Sequence, residues 1–230
     1  MTKTFIRCSL TAAFLFCCLH SNSQTIIPRF EQLSVNDGLP HSSVYSILQD
    51  KKGFMWFGTP NGLCRYDGSG LTGFRYHPGR AGDVVNNFIR GNILEDKTGN
   101  IWYSNESGIF KWDVYKEKVV KVRPFKKEEF GNVDFKTLTL DTSGSLWLFN
   151  VFYGIFEFDI STGALKRYPL PAPTNGLTFI LSYTTVDEAG NIWIRIVSDD
   201  EPYIVFNKST HRYAAGLTGT TPHALFFSHH

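Results

Sequence analysis

A short pattern, Asp-x-x-Gly-x-[Met/Ile/Leu]-Trp, occurs four times in this chain and constrains its fold more than any other feature. The copies begin at Asp50, Asp96, Asp141 and Asp187, and their tryptophans, Trp56, Trp102, Trp147 and Trp193, lie 46, 45 and 46 residues apart. The first copy opens the fullest version, Asp50 to Asp67, which reads as two tight hairpins in a row. Asp50 can accept from a backbone N–H two residues on, Gly53 can take the positive φ that ends such a turn, and Met55 to Phe57 start a strand. Asn61-Gly62 is a second hairpin signal, with Leu63 to Tyr66 as the return strand. The second and third copies keep the later Gly (Gly108, Gly154) and the closing Asp (Asp113, Asp159), whereas the fourth has Pro202 and Asn207 at those places.

Each repeat reads as four short strands bounded by Gly, Asn, Asp and Pro, with no convincing helix between them. The expected strands are 44–50, 54–59, 62–67 and 72–76; then 89–95, 100–104, 108–113 and 118–123; then 134–140, 145–149, 154–159 and 164–168; then 179–186, 191–197, 202–207 and 211–214. Four antiparallel strands every ~40–50 residues is the unit of a β-propeller, in which each small sheet hides its faces against its neighbours. The expected fold class is therefore all-β: a propeller of four-stranded antiparallel blades, about four of them, in an incomplete ring. A large flat indole on each second strand would fill the wedge between blades, a structural role preferred over sugar stacking.

Ahead of the repeats, Lys3 and Arg7 precede an apolar run from Leu10 to Leu19 that is too short to span a bilayer and reads as a secretory signal peptide. Ser21 and Ser23 suit a cut before Gln24, whereas Phe16 and Cys17 ahead of the adjoining cysteines fit lipoprotein processing poorly. Cleavage leaves 207 residues, with 21 basic against 21 acidic groups. A formal charge of zero argues against nucleic-acid binding. Cys8, Cys17 and Cys18 leave with the signal, so Cys64 alone remains and no internal disulfide is available. No later run is long enough for a membrane helix. The expected location is exported and periplasmic.

The expected segments are 1–23, signal peptide; 24–43, an N-terminal strand over Phe30 to Val35 with a lead-in loop; 44–87, 88–133, 134–177 and 178–214, blades one to four; and 215–230, the start of a truncated fifth blade. The N-terminal strand would cap the first blade or pair with the last. Leu225 to Phe227 would open the fifth inner strand, since a further Asp falls due just past His230.

Residues 30–68, with Asp37-Gly38-Leu39-Pro40, the D-x-x-G-x-x-W-x-G-T run ending at Thr59, and G-L-x-R-Y-D-G from Gly62 to Gly68, carry a family resemblance. They resemble the opening of the periplasmic sensor region of hybrid two-component systems of gut Bacteroidetes-type bacteria, and the likeness extends over essentially the whole chain after the leader. In that family two seven-bladed propellers precede a small β-sandwich, a membrane helix, a histidine kinase core and a receiver with a DNA-binding domain. The resemblance implies detection of oligosaccharides released from polysaccharides, with a phosphorelay to genes for glycan use, and a homodimer through the parent sensor. This chain has none of the kinase, receiver or membrane parts, so no enzymatic activity of its own is expected.

Other motifs point to little chemistry. Gly68 to Gly73 fits G-x-G-x-x-G, but a strand rather than a helix follows, so phosphates would lack a helix N-terminus and a flexible turn is the reading. Asp199-Asp200-Glu201 lacks further oxygen ligands at loop spacing and reads as a solvated turn. No histidine pair has metal-site spacing and Cys64 has no partner, so no metal and no cofactor is expected. Lys126-Lys127-Glu128-Glu129 reads as a solvated connection. Asn105-Glu106-Ser107 and Asn207-Lys208-Ser209 match a glycosylation acceptor pattern, a weak signal.

By fold analogy the connections at the ends of second strands form the ligand platform of a propeller. Asn105, Asn150, Tyr153 and Arg195 fall there, and their amides, phenol and guanidinium suit sugar hydroxyls or a uronate carboxylate. The alternative for each is an ordinary loop residue satisfying a turn. Two other functions stay open at this level: an exported propeller lyase or hydrolase, and a non-catalytic interaction module or inactive gene fragment.

Overall fold

The computed structural model describes residues 30–78, 87–131, 135–171, 184–195 and 203–215. Among the described residues, sixteen strands form four separate antiparallel sheets, each in simple sequence order. Sheet 1 holds β1 (Ser46–Gln49), β2 (Met55–Thr59), β3 (Gly62–Tyr66) and β4 (Leu71–Phe74). Sheet 2 holds β5 (Leu94–Glu95), β6 (Ile101–Asn105), β7 (Gly108–Asp113) and β8 (Lys118–Pro124). Sheet 3 holds β9 (Lys136–Leu140), β10 (Ser145–Asn150), β11 (Gly154–Asp159) and β12 (Leu165–Tyr168). Sheet 4 holds β13 (Thr184–Val186), β14 (Ile192–Arg195), β15 (Tyr203–Asn207) and β16 (Arg212–Ala215).

The fold is thus all-β, in four-stranded units like the blades of a propeller. The expected signal peptide, the acidic run at 199–201, Pro202 and nearly all of the expected fifth blade lie outside the described residues.

Among the described residues three apolar cores form, each between consecutive sheets. Side chains alternate across a strand, so each sheet offers one set of residues to the sheet before it and another to the sheet after. Trp56 and Leu63 of sheet 1 meet Ile101, Tyr103, Phe110 and Trp112 of sheet 2. Trp102 and Ile109 of sheet 2 meet Leu146, Leu148, Phe156 and Phe158 of sheet 3. Trp147, Phe149 and Ile155 of sheet 3 meet Ile192, Ile194 and Phe206 of sheet 4. The first three repeat tryptophans are 1–2% exposed, and burial of an indole of roughly 200 Å² contributes about 5 kcal/mol. The expected wedge role is therefore observed for Trp56, Trp102 and Trp147. Trp193 is only partly buried, and the ring it meets, Tyr203 at 6.3 Å, belongs to its own sheet.

Side chains also tie one sheet to the next. Lys51 Nζ donates to the Asp96 carbonyl (3.0 Å) and Lys97 Nζ to the Thr142 carbonyl (2.8 Å). Asn92 Nδ2 reaches the Leu138 carbonyl, Ser104 Oγ the Phe135 carbonyl and the Tyr213 hydroxyl the Tyr168 carbonyl.

Two expectations are corrected. Residues 30–35 form no strand. Ser34 instead caps a short 3₁₀ turn, Val35–Asp37: its Oγ accepts from the Asn36 N–H, and its own N–H donates to Asp37 Oδ2 at 2.8 Å. A local side-chain to backbone exchange of this kind competes successfully with strand pairing. Gly38 (φ 106°) then turns the chain so that Leu39 is buried, with Asn61 Nδ2 holding the Pro40 carbonyl at 3.0 Å. The second correction concerns the expectation that no helix lies between the strands. Residues Lys127–Phe130 make a single helical turn, α1, because Phe130 is drawn into the core against Phe125, Phe135 and Phe156 while Glu128 and Glu129 stay exposed.

Candidate functional site

The repeated Asp and Trp are joined directly. In sheet 2, Asp96 Oδ1 accepts from the Thr98 N–H (2.8 Å), Thr98 Oγ1 (2.7 Å) and the Asn100 N–H (3.0 Å). Its Oδ2 accepts from Asn100 Nδ2 (2.8 Å) and Trp102 Nε1 (2.7 Å). The indole bond recurs from Trp56 to Asp50 (2.7 Å), from Trp147 to Asp141 (2.7 Å) and from Trp193 to Asp187 (2.8 Å). Each carboxylate closes its own turn with one oxygen and fixes the indole of its repeat with the other. The six-residue spacing carried this signal, yet only the turn half of it was read from the sequence. Burial pushes the carboxyls of Asp96, Asp141 and Asp187 up. The hydrogen bonds donated to them, from the indole in every case, outweigh it and hold all three below the usual aspartate value.

At the far end of the second strands a different set of residues recurs. Thr59, Asn105 and Asn150 end β2, β6 and β10, and all three are at most 1% exposed. Thr59 Oγ1 accepts from the Asn61 N–H (3.1 Å), and Asn105 Oδ1 accepts from the N–H (2.8 Å) and hydroxyl (2.9 Å) of Ser107. Asn150 Oδ1 accepts from the N–H groups of Phe152 (2.9 Å) and Tyr153 (3.1 Å). The two asparagines thus shape the loops that carry this end of the sheets.

Gly154, which starts the return strand after Asn150, has φ 95°, and a Cβ there would lie 2.4 Å from the Tyr168 carbonyl. The repeated Gly thus admits the main chain of the outer strand as well as the turn.

Tyr153 lies in the turn after β10. Its ring packs edge-on against Phe130 at 5.5 Å, and the Arg167 guanidinium sits 5.0 Å from the ring while Arg167 Nε donates to the Tyr153 carbonyl (2.9 Å). Arg195 is the last residue of β14, opposite Tyr203, and is exposed. The structure brings Asn150 and Tyr153 together in one turn. Asn105 ends β6 three residues after its tryptophan, whereas Arg195 ends β14 two residues after its own, one position out of step with Asn105 and Asn150.

Third strands end in an equally regular way. Asp67 Oδ1 accepts from the N–H groups of Ser69 (2.8 Å) and Gly70 (2.9 Å), and those donors draw its carboxyl down to about 2. Asp159 makes the same turn with Ser161 and Thr162. Asn207, the departure noted in the fourth repeat, does so too: its Oδ1 accepts from the Thr210 N–H at 2.8 Å, since one carbonyl oxygen suffices. The Gly68-Ser69-Gly70 run is part of the Asp67 turn, and β4 follows it directly.

Facing the indoles, Arg65 lies 4.8 Å from the Phe54 ring, 5.7 Å from Phe74 and 5.8 Å from Trp56, a cation–π cluster within sheet 1. Cys64 is buried, which pushes its thiol up to about 11, so it is not a reactive nucleophile. Among the described residues no group of three His, Cys, Asp or Glu side chains is placed to hold a metal ion. Nor is any helix among them long and apolar enough to cross a membrane.

Comparison with known proteins follows the same lines. Residues 38–61 match the model of the two component regulator propeller family. The match runs from Gly38 through Trp56 to Asn61, within the stretch on which the resemblance was drawn. Among solved structures, the extracellular domain of the hybrid two component system BT3049 from B. thetaiotaomicron is similar at 21% identity and a TM-score of 0.55, over 80% of this chain and 31% of that one. The extracellular domain of the hybrid two component system BT4673 from B. thetaiotaomicron is similar at 20% identity and a TM-score of 0.55, over 78% of this chain and 23% of that one. A protein of unknown function from Bacteroides thetaiotaomicron is similar at 10% identity and a TM-score of 0.52, over 75% of this chain and 42% of its own. These likenesses establish the propeller-type fold. The chain spans about a third or less of the length of the two extracellular domains. No curated protein matches the sequence.

Proposed function

We propose that this chain, whose residues 38–61 carry the two component regulator propeller repeat, serves as the ligand-sensing, exported part of a hybrid two-component sensor for oligosaccharides. The observation that carries the reading is the pairing of that repeat with a fold shared with the extracellular domains of two such systems. In this reading the chain has no catalytic role and contributes recognition, while signalling belongs to other parts of a longer protein. The blades correspond to residues 44–87, 88–133, 134–177 and 178–214, and the ligand platform is the end where the second strands finish.

On that platform Arg195 is the group assigned to the ligand. It is exposed at the end of β14, and a guanidinium can hold vicinal sugar hydroxyls or fork a uronate carboxylate. Tyr153 supplies an aromatic face, and Asn105 and Asn150 shape the loops beside it. Titration calorimetry of the sensor region with a panel of neutral and uronate-bearing oligosaccharides tests the reading. The expected result is binding by one class of oligosaccharide, weakened about tenfold, or ~1.4 kcal/mol, by Arg195→Ala. Unchanged affinity in the variant removes Arg195 from the site, and absence of binding by every oligosaccharide removes the sensing assignment itself.

A further inference from the structure

A second feature lies away from the strand ends, on the outer edge of sheet 2. The outermost strand, β8, carries a bulge: Ile109 faces Arg123 and Phe110 faces Lys121, so Val122 has no partner across the ladder. A bulge bends its strand and re-aims the side chains that follow. Here it borders a cleft of about 330 Å³ lined by Val122, Arg123, Pro124, Lys126 and Glu129, with Phe158 and Gly163 of sheet 3 at the opposite wall. That volume is at the lower end of the range for small-molecule sites.

The charged group in the cleft is not satisfied by the protein. Arg123 Nε is buried and has no hydrogen-bond partner among the described residues. Arg123 as a whole is only partly buried and lines the cleft, so its other guanidinium nitrogens are the ones a ligand's acceptor can reach. A carboxylate matches the planar fork of a guanidinium with two parallel bonds. Charge favours one such group: Arg123 and Lys126 against Glu129 leave a single net positive charge in the cleft. The exposed Val122 and Pro124 present apolar surface to the body of a ligand, and Phe158 lies buried behind the cleft. Beside Gly163 nothing lies within 4 Å of where a Cβ would stand, which leaves that wall open.

We propose that this cleft is a binding site for a small organic monocarboxylate, held through its carboxylate by Arg123 with Lys126 in support. The site uses none of the residues assigned to the oligosaccharide platform, so either assignment can fail without the other. The shared chemistry fits a sugar acid or the carboxylate end of an acylated amino acid, and the probes separate the two.

The test titrates the full chain with sodium glucuronate, N-acetylglycine, glucose and inorganic phosphate, following the backbone amides of Val122, Arg123, Lys126 and Gly163 by NMR. The expected result is saturable shifts at these amides with glucuronate, and an affinity at least about tenfold lower in both Arg123→Gln and Val122→Glu. Val122 is exposed, so its replacement adds a negative charge to the cleft without disturbing a core, and covers the case in which Arg123→Gln unfolds the sheet edge. Saturation by glucuronate but not N-acetylglycine identifies a sugar acid; saturation by both identifies any monocarboxylate; saturation by N-acetylglycine alone identifies the amino-acid source. The proposal is overturned if neither carboxylate shifts these amides at about 10 mM, if glucose or phosphate binds as well, or if folded variants bind like the parent.

Discussion

Replacing Asp96 by Asn removes one charge, keeps the shape, and reverses the hydrogen-bonding sense of one oxygen. Five donors converge on the Asp96 carboxylate, three on Oδ1 and two on Oδ2. An amide presents one acceptor and one donor end. If its oxygen serves the turn, the NH₂ faces Trp102 Nε1 and Asn100 Nδ2, which now stand donor to donor. If it flips, Thr98 and Asn100 lose their acceptor instead. Hydrogen bonds to a charged group contribute about 1.5–3 kcal/mol each, and a buried donor left unpaired costs about 1–3 kcal/mol. Trp102 is only 2% exposed, so water cannot readily repair the loss. The expected destabilisation of Asp96→Asn is about 3–5 kcal/mol, or about a 10 °C lower thermal midpoint for a chain of this size. Urea and thermal unfolding of the single variants Asp96→Asn and Trp102→Phe, and of the double variant, measure it. Because both single variants break one shared bond, the double variant should fall short of their sum by about 1.5–3 kcal/mol. Additivity within about 0.5 kcal/mol would refute the argument that the carboxylate acts through the indole.

The same aspartates set the response to acid. Native Asp96, Asp141 and Asp187 lie below the usual value, so their contribution is complete above the unfolded value of about 3.9 and is lost as the pH falls below it through the native values. The thermal midpoint should stay level from neutral pH to about 5 and drop below about 4; a maximum near pH 3 would contradict this. Gly154→Ala should destabilise by about 3 kcal/mol, because its Cβ would meet the Tyr168 carbonyl. Gly144→Ala, also at positive φ (93°) but with nothing near, should cost only the backbone term of about 1–2 kcal/mol. Equal losses in urea melts would show that the close approach is not what fixes the repeated Gly. Cys64, buried and with its thiol pushed up to about 11, should resist alkylation at pH 8 until the chain is unfolded, as read by peptide mapping.

The sheets were legible because a period of about 46 residues with a fixed Asp, Gly and Trp leaves few architectures, and because tight turns announce their strands locally. The N-terminal segment misled because Phe30 to Val35 alternates like a strand, while the competing Ser34–Asp37 exchange is a capping box written in two side chains. At α1 the polar face of Lys127 to Glu129 hid the demand of one residue, Phe130, for a core formed by residues on two sheets. The strand-end asparagines illustrate a further point. Thr59, Asn105 and Asn150 stand at one offset from their tryptophans, and a polar side chain recurring at one offset in three repeats is first a statement about the turn. Arg123 carried no sequence signal, because its setting depends on a bulge and on the neighbouring sheet.

Five of the side-chain ties between sheets share a property with evolutionary weight. Lys51, Asn92, Lys97, Ser104 and Tyr213 each reach across to a carbonyl of the main chain. A peptide oxygen is supplied by whichever amino acid stands there, so mutation on the accepting side cannot delete it. Neighbouring units are consequently free to drift apart in side chains while their joints persist, and sheet can follow sheet with little common spelling beyond an aspartate, a glycine and a tryptophan.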